Sequence, residues 1–537
     1  MSNLPEAVVL AGGMVYDGTG APPKKADIAL AGGSIVEVGR PGQVSGGELV
    51  DVSGCVVAPG FIDIHTHADF SLPTYPAASS MVRQGVTTVV VGNCGFSAFP
   101  IGAGERGEML QEHTSIFGRG LDWQWSDLPG FIEHVESLGP AVNVATLVGH
   151  GSVRLAAMGF EDRPPTADEL AHMRRLAEES MALGAFGMSS GLIYAPGTYA
   201  AQEELTALCR VVAGAGGFYA THMRNEGEHL LKSVDETLAI ARGSGVALQM
   251  SHHKVLGRRN WGLTEESLSA VDFAIADGLD VTLDQYPYPA SSTTLAALLP
   301  SWASEGGLDR MRARLSDATD RAAIRREILE GPDDGRPKRD FEPDTVMVSS
   351  IASSTGTPLV GLSLREIADQ NGVEAVDVML DLLATDSGVE VVIFSIGEED
   401  IQRVMRHPAV AIASDGWTMH PDAGGRPHPR SYGTFVRVLG EYVRERGILS
   451  LAEAIRKMTT LPAGRMGLAD RGRIRVGARA DIVVFDPRTV AERSTFLEPH
   501  AFATGVRSVY VNGVCTVRDG EQTRDRGGSF LRHCTSG

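Results

Sequence analysis

Repeated strand-then-helix order across the middle of the chain predicts an α/β fold. The expected architecture is a TIM-like (β/α)8 barrel with a small β-sandwich built from both chain ends and an inserted lid. Three observations carry this. Residues 58–468 alternate apolar strands with amphipathic helices, an order that requires parallel strands joined by right-handed crossovers. Residues 1–57 and 469–537 instead share a texture of short apolar runs broken by Gly and Asp turns, which suits one sheet-rich unit made from the two ends. Residues 290–345 interrupt the alternation.

Taken in order, the N-terminal runs AVVLAGGMVYDGTG, ADIALAGGSIVEVG and ELVDVSGCVVAPG read as short strands joined by tight turns. The tail repeats the pattern in GRIRVGARADIVVFDP and SVYVNGVCTVRDGE. Barrel strands are expected at 61–65, 87–91, 143–148, 185–188, 218–222, 247–252, 280–284 and 410–413. Helices lie between them; in GEHLLKSVDETLAIARGSG, Leu230, Leu231, Val234, Leu238 and Ala241 share one face. Apolar runs at 346–349 and 391–394 bring the candidates to ten for eight places. The interruption holds DRMRARLSDATDRAAIRREILEG and the charged GPDDGRPKRDFEPD, and is expected to cover the barrel mouth and move during turnover.

Composition bounds the function. Of 537 residues, 43% are hydrophobic and 21% charged, enough apolar material for a large core. A net charge of −19 and the lack of any Lys/Arg-rich run argue against nucleic acid or an anionic membrane surface as partner. Cys55, Cys94, Cys209, Cys515 and Cys534 are few, odd in number and scattered, which fits free thiols in a reducing, cytoplasmic setting. No apolar stretch approaches the ~18 residues of a membrane span.

The sharpest chemical feature is His65-Thr-His67 in GFIDIHTHADF. Residues i and i+2 of a strand point the same way, so the two imidazoles converge at a strand's carboxyl end, where barrel active sites form. His222 ends YATHM and His252 ends LQMSH, so four histidines close three apolar strands, a pattern suited to zinc or a similar metal. His253 falls on the opposite pleat face. Cys94 in VVVGNCGF follows another strand between Gly92 and Gly95; it reads as a metal thiolate, a nucleophile paired with histidine, or a small buried thiol. Asp415 in VAIASDGW is either a proton carrier beside a metal or the aspartate of an Asp-Gly turn. Asp63 alternates away from the histidine pair, Asp69 is a weaker candidate, and His150 could line the same mouth.

With these residues in view, the chain resembles the N-acyl-D-amino-acid deacylases (D-aminoacylases) of the amidohydrolase superfamily. The matching stretches include GVTTVVVGNCGFS, YATHMRNEGEHLL, SHHKVLGRRNWG, DQYPYPASSTTL and RGRIRVGARADIVVFDP, within residues 8–525. The resemblance implies one tight zinc site at Cys94, His222 and His252. It implies a second, weaker position at His65 and His67, with Cys94 bridging. Asp415 matches the catalytic acid/base, and Lys254, Tyr286 and Ser292 match positions for the substrate carboxylate, with Tyr194 and Arg430 as further candidates. The implied reaction is hydrolysis of a small-molecule N-acyl-D-amino acid, in which a metal acidifies water and Asp415 moves the proton. A cyclic amidase or D-dipeptidase of the same superfamily is the alternative, and a non-catalytic binding protein a remote one. Trp417 and the loop TMHPDAGG depart from the family pattern and bear on which side chain or acyl group fits.

Overall fold

The computed structural model describes residues 7–114, 121–331, 341–351 and 358–533. Eight parallel strands form the centre: Phe61–Asp63, Val86–Val91, Asn143–Thr146 with its continuation Val148–Gly149, Gly187–Gly191, Phe218–His222, Ala247–Met250, Val281–Gln285 and Val410–Ile412. The first three pair in sequence, and the continuation of the third leads the remaining five. The third strand thus belongs to both sheets: Leu147 N donates to Val91 O at 2.9 Å, and Phe186 N to Thr146 O at 2.8 Å.

The ring closes between the eighth and first strands through Asp415 N to His65 O and His67 N to Gly416 O, both 2.8 Å. The seam of the barrel is therefore made by the His-Thr-His run and the Ser-Asp-Gly turn themselves. Beneath it, Ile62, Ile64, Val90, Ala145, Leu147, Phe218, Ala220, Ala411 and Ala413 pack into one apolar cluster on the same strands. These residues precede the polar strand ends in sequence, so the chain builds a dry floor first and a reactive rim above it.

Outside the barrel, helices bury single apolar stripes. Leu230–Ser244 buries Leu230, Val234, Leu238 and Ala241 as the spacing predicts, while Leu231 stays half-buried and Ile240 joins the core instead. Gly245 ends this helix in the left-handed region (φ 74°), where a side chain would be strained. Burying one such leucine contributes ~1.5–3 kcal/mol.

Both chain ends enter one nine-stranded sheet in which Val56–Pro59 pairs antiparallel with Ile482–Phe485. The sheet folds back on itself, with Ile35 N donating to Ala478 O at 2.8 Å and Ala480 N to Gly33 O at 2.9 Å. Leu10, Ile28, Leu30, Val57, Ile482 and Tyr510 fill its interior.

The surplus strand candidates have a separate destination. Ser291–Thr294, Val346–Ser350 and Glu390–Ile393 form an antiparallel three-stranded sheet between the seventh and eighth barrel strands. The helices Leu308–Ser316, Ala318–Glu330, Leu364–Asn371 and Ala375–Thr385 pack with it around a core that includes Met311, Leu315, Ile324, Val348, Ile367 and Leu380. The insertion thus runs from the 291 strand to the 393 strand, beyond the expected 290–345, because it has an apolar core of its own to complete. No described helix is long and apolar enough to cross a membrane. Cys55, Cys94, Cys209 and Cys515 are free thiols, and Cys534 lies outside the described residues.

Candidate metal centre and active site

Cys94 sits at the middle of the barrel mouth. Its Sγ lies 3.3 Å from His65 Nε2, 3.8 Å from His222 Nδ1 and 3.5 Å from His252 Nε2. The backbone bends to put it there: Cys94 has φ 50°, between Gly92 (φ 77°) and Gly95 (φ 83°). A Cβ on Gly95 would stand 2.6 Å from Gly191 N, so only glycine lets the loop press against the fourth strand. His252 (φ 35°) and Asp415 (φ 52°) also occupy the left-handed region, so three site residues hold strained backbone.

Each imidazole that faces the thiol turns its other nitrogen towards a carboxylate. His65 Nδ1 is 3.1 Å from Asp284 Oδ1, His252 Nδ1 is 3.1 Å from Glu226 Oε1, and His222 Nε2 is 3.5 Å from Glu226 Oε2. The carboxylate behind His65 is close enough to orient its ring, His252 Nδ1 lies between Glu226 and Lys254, and Glu226 stands beside His222 Nε2 at ion-pair distance without a hydrogen bond. Glu226 also accepts from Lys254 Nζ at 2.7 Å, and Asp284 accepts from His252 N and Gln249 Nε2, each at 2.7 Å. Asp284 and Glu226 were not singled out by sequence reasoning. Asp284 ends the seventh apolar strand, and Glu226 stands four residues after His222, so strand-end position and the i+4 offset were the available signals.

Two ligand groups emerge, with donor atoms in each within 4.8 Å of one another: Cys94, His222 and His252, and His65, His67, Cys94 and Asp415. Cys94 is common to both. One thiolate with two imidazoles is a donor set matched to zinc, and a group containing a carboxylate can take the same metal less softly. Burial alone would raise the Cys94 thiol, but the charges of His65 and His252 bring it well below its ordinary value, which favours the ligating thiolate. Burial lowers His222, the direction that favours the neutral imidazole.

Asp415 makes a left-handed turn before Gly416, yet its carboxylate faces the site. Oδ1 is 2.9 Å from His67 Nε2 and 3.3 Å from His65 Nε2, and Oδ2 accepts from Arg430 Nη1 at 2.7 Å. Against burial, the Arg430 and His65 charges hold it well below the usual carboxylate range. His67 is pushed to about 9: burial lowers it, but the hydrogen bonds to Asp415 and Cys94 outweigh that.

The remaining candidates separate. Lys254 contacts Glu226 and His252 Nδ1 (2.9 Å) and lies 5.6 Å from the Tyr286 ring centre. Among the described residues the buried Tyr286 hydroxyl has no hydrogen-bond partner, and burial pushes it well above its ordinary value. Arg430 was expected at a substrate carboxylate; its strong contact is instead Asp415, while Nη2 reaches Ser292 O at 3.4 Å. Ser292 lines the cavity from the inserted sheet, and Tyr194 bonds Thr293 Oγ1 at 3.0 Å. Trp417 lies 5.9 Å from His67. His253 turns away to Ser267 Oγ at 2.8 Å, and His150 bonds Glu204 at 2.8 Å. Asp63 accepts from Ser414 N at 2.9 Å and Asp69 from Gly92 N at 3.2 Å; burial pushes both to about 7. Asp63 binds backbone at the seam and Asp69 binds backbone after the second strand, and neither joins a ligand group.

A cavity of about 250 Å³ opens above Cys94, His222, His252 and Asp415, walled by barrel loops on one side and the insertion on the other. A parallel barrel with histidine, cysteine and aspartate at its carboxyl-end mouth defines a metal-dependent hydrolase of the amidohydrolase type. The amidohydrolase family model matches residues 48–517. The D-aminoacylase of Alcaligenes xylosoxydans xylosoxydans is 37% identical over 98% of each chain. The crystal structure of N-acyl-D-glutamate deacylase from Bordetella bronchiseptica, complexed with zinc and a phosphonate mimic of the tetrahedral intermediate, superposes with TM-score 0.84. It is 35% identical and the match covers 99% of this chain and all of that one. A D-aminoacylase structure described for its binuclear metal centre, with one-metal activation and second-metal attenuation, gives TM-score 0.83 at 37% identity, covering 98% of this chain and 99% of that one. The chain belongs to the amidohydrolase family, in its N-acyl-D-amino-acid deacylase branch.

Proposed function

We propose that this protein hydrolyses the linear amide bond of N-acyl-D-amino acids to a D-amino acid and a carboxylic acid. Cys94, His222 and His252 would hold zinc tightly, and His65, His67 and Cys94 would offer a second, weaker position. The observation that carries the reading is the convergence of three imidazoles on one thiol, each backed by a carboxylate. When bound, zinc supplies Lewis acidity, making a water acidic near neutral pH and polarising the substrate carbonyl.

The chain's own residues do the rest. Asp415, ionised and part of the ligand group with His65, His67 and Cys94, accepts the proton of the attacking water at Oδ1 and returns it to the leaving nitrogen. Arg430 holds the other carboxylate oxygen and so fixes which oxygen faces the reaction. Lys254 and the Tyr286 hydroxyl, unpartnered among the described residues, lie together on the cavity wall and receive the substrate carboxylate, with Ser292 of the inserted sheet lining the same cavity. The D-preference follows from family membership. Free thiols throughout the described chain support a reducing, cytoplasmic setting.

Hydrolysis assays on matched N-acetyl-D and N-acetyl-L amino acids, with dihydrouracil and hydantoin alongside, test the proposal. Cleavage of the D-series alone is expected. Turnover of the cyclic amides with no cleavage of the D-series would overturn it.

A further inference from the structure

A buried imidazole outside both ligand groups stands behind the Asp415–Arg430 pair. His428 is shut off from solvent and lies two residues before Arg430. Its Nδ1 accepts from Arg430 N at 3.0 Å, and its Nε2 lies 3.0 Å from Ala290 O. A backbone N–H can only donate and a carbonyl can only accept. These two partners therefore define one state, a neutral imidazole with its proton on Nε2. Burial and the Arg430 charge push its pKa well below the ordinary value, in keeping with that state. Tyr288 and Phe496 stand edge-on to the ring, with centres 4.9 and 5.0 Å away and interplanar angles of 89° and 81°, and hold it against rotation.

Both hydrogen bonds end where they bear on Arg430. One fixes the root of that side chain, the main chain at the start of the helix Arg430–Arg437. The other fixes Ala290, two residues before Ser292, whose carbonyl accepts from Arg430 Nη2 at 3.4 Å. Ala290 is also where the chain enters the insertion: it packs with Met347 and Val392, and Ser291 pairs with Ile393. The Tyr286 and Trp417 rings, 5.1 and 5.6 Å from the guanidinium carbon, give Arg430 flat walls but no directional bond. Its Nη1 then meets Asp415 Oδ2 at 2.7 Å. One rigid ring thus ties together the root of the arginine and the strand that holds one of its tips.

We propose that His428 is a positioning residue for proton transfer: it seats Arg430 so that Asp415 keeps Oδ2 engaged and presents Oδ1 to the reaction. The proposal rests on the deacylase reading above, in which Asp415 carries the proton. His428 is not among the described residues lining the cavity, so its loss should reach the chemical step rather than substrate binding. Of its two bonds, the one to Arg430 N should matter more, because the Ala290 bond acts only through the long contact at Ser292.

The test compares zinc-loaded variants with wild type on the N-acetyl-D-amino acid that the wild type cleaves fastest. An asparagine oxygen overlays Nδ1, so His428→Asn keeps an acceptor for Arg430 N and loses the bond to Ala290. A glutamine amide reaches the Nε2 position, so His428→Gln keeps a donor for Ala290 O and leaves Arg430 N unpaired. Both changes should lower the melting temperature, so stability alone does not separate them. The Asn variant should retain kcat to within about threefold, whereas in the Gln variant kcat should fall at least about tenfold. KM should move less than about threefold in each, with zinc content unchanged. His428→Phe keeps the ring packing without either bond and should fall at least as far as Gln; if it does not fold, the Asn–Gln pair decides. Equal kcat in folded, zinc-bearing Asn and Gln variants would overturn the proposal while leaving the deacylase reading intact. So would a rise in KM at unchanged kcat, the mark of a residue acting on substrate binding. A wild type that cleaves no N-acetyl-D-amino acid would overturn both.

Discussion

The two halves of the ligand cluster share Cys94 and differ in what stands behind them. On one side His222 and His252 both face a single carboxylate, Glu226, which is itself paired with Lys254. On the other, His65 is oriented by Asp284, but His67 leans on Asp415, the residue proposed to move protons. The first half is a closed arrangement in which every charge has a fixed partner. The second includes a group that must change protonation during each turnover. This difference explains how one thiol can serve a tight position and a looser one: rigidity is concentrated where the metal must stay.

The largest effect should come from removing the shared atom. Cys94→Ala should abolish retained zinc and activity together, measured by metal analysis and turnover on N-acetyl-D-leucine. Full metal and full rate in that variant would break the comparison at its root. Next is Asp415→Asn, which can keep the left-handed turn at φ 52° because Asn tolerates that region. It cannot act as a base, so kcat should fall ~10²–10⁴-fold with KM changed much less and zinc retained. A variant within a few-fold of wild type would leave Asp415 only the turn.

A smaller effect is expected behind the ligands. Glu226→Gln keeps size but removes the charge that faces two imidazoles and pairs Lys254, so zinc affinity should weaken ~10–100-fold in chelator competition. Asp284→Asn should act chiefly on the second half, weakening the second equivalent of metal more than the first; equal loss at both positions would blur the proposed division. Smallest in functional terms is Leu238→Ala on the outer helix. It should cost ~2–5 kcal/mol of stability by denaturant melt while leaving KM for substrate unchanged, since Leu238 does not line the active-site cavity.

Much of this was legible in the sequence because the barrel writes its chemistry at strand ends. His65, His67, Cys94, His222, His252 and Asp415 each follow an apolar run, and the structure brings all six together. What escaped has physical reasons. Glu226 lies on the loop after its strand, and its contact with His252 exists only once two strands are side by side. Arg430 begins a helix, and nothing local indicates that its guanidinium reaches back to Asp415. The runs at 346–349 and 391–394 read like barrel strands because a buried antiparallel strand and a buried parallel one share the same apolar signature. Their role is set by the insertion's own core, a property of residues far apart in sequence.

The central claim is that one thiolate anchors the metal, and X-ray absorption on the protein loaded with a single equivalent of zinc tests it most directly. One Zn–S distance near ~2.3 Å with nitrogen or oxygen neighbours at ~2.0–2.1 Å is the predicted shell, with the sulfur contribution lost in Cys94→Ala reconstituted at excess zinc. A shell of nitrogen and oxygen alone in the wild type would contradict the account.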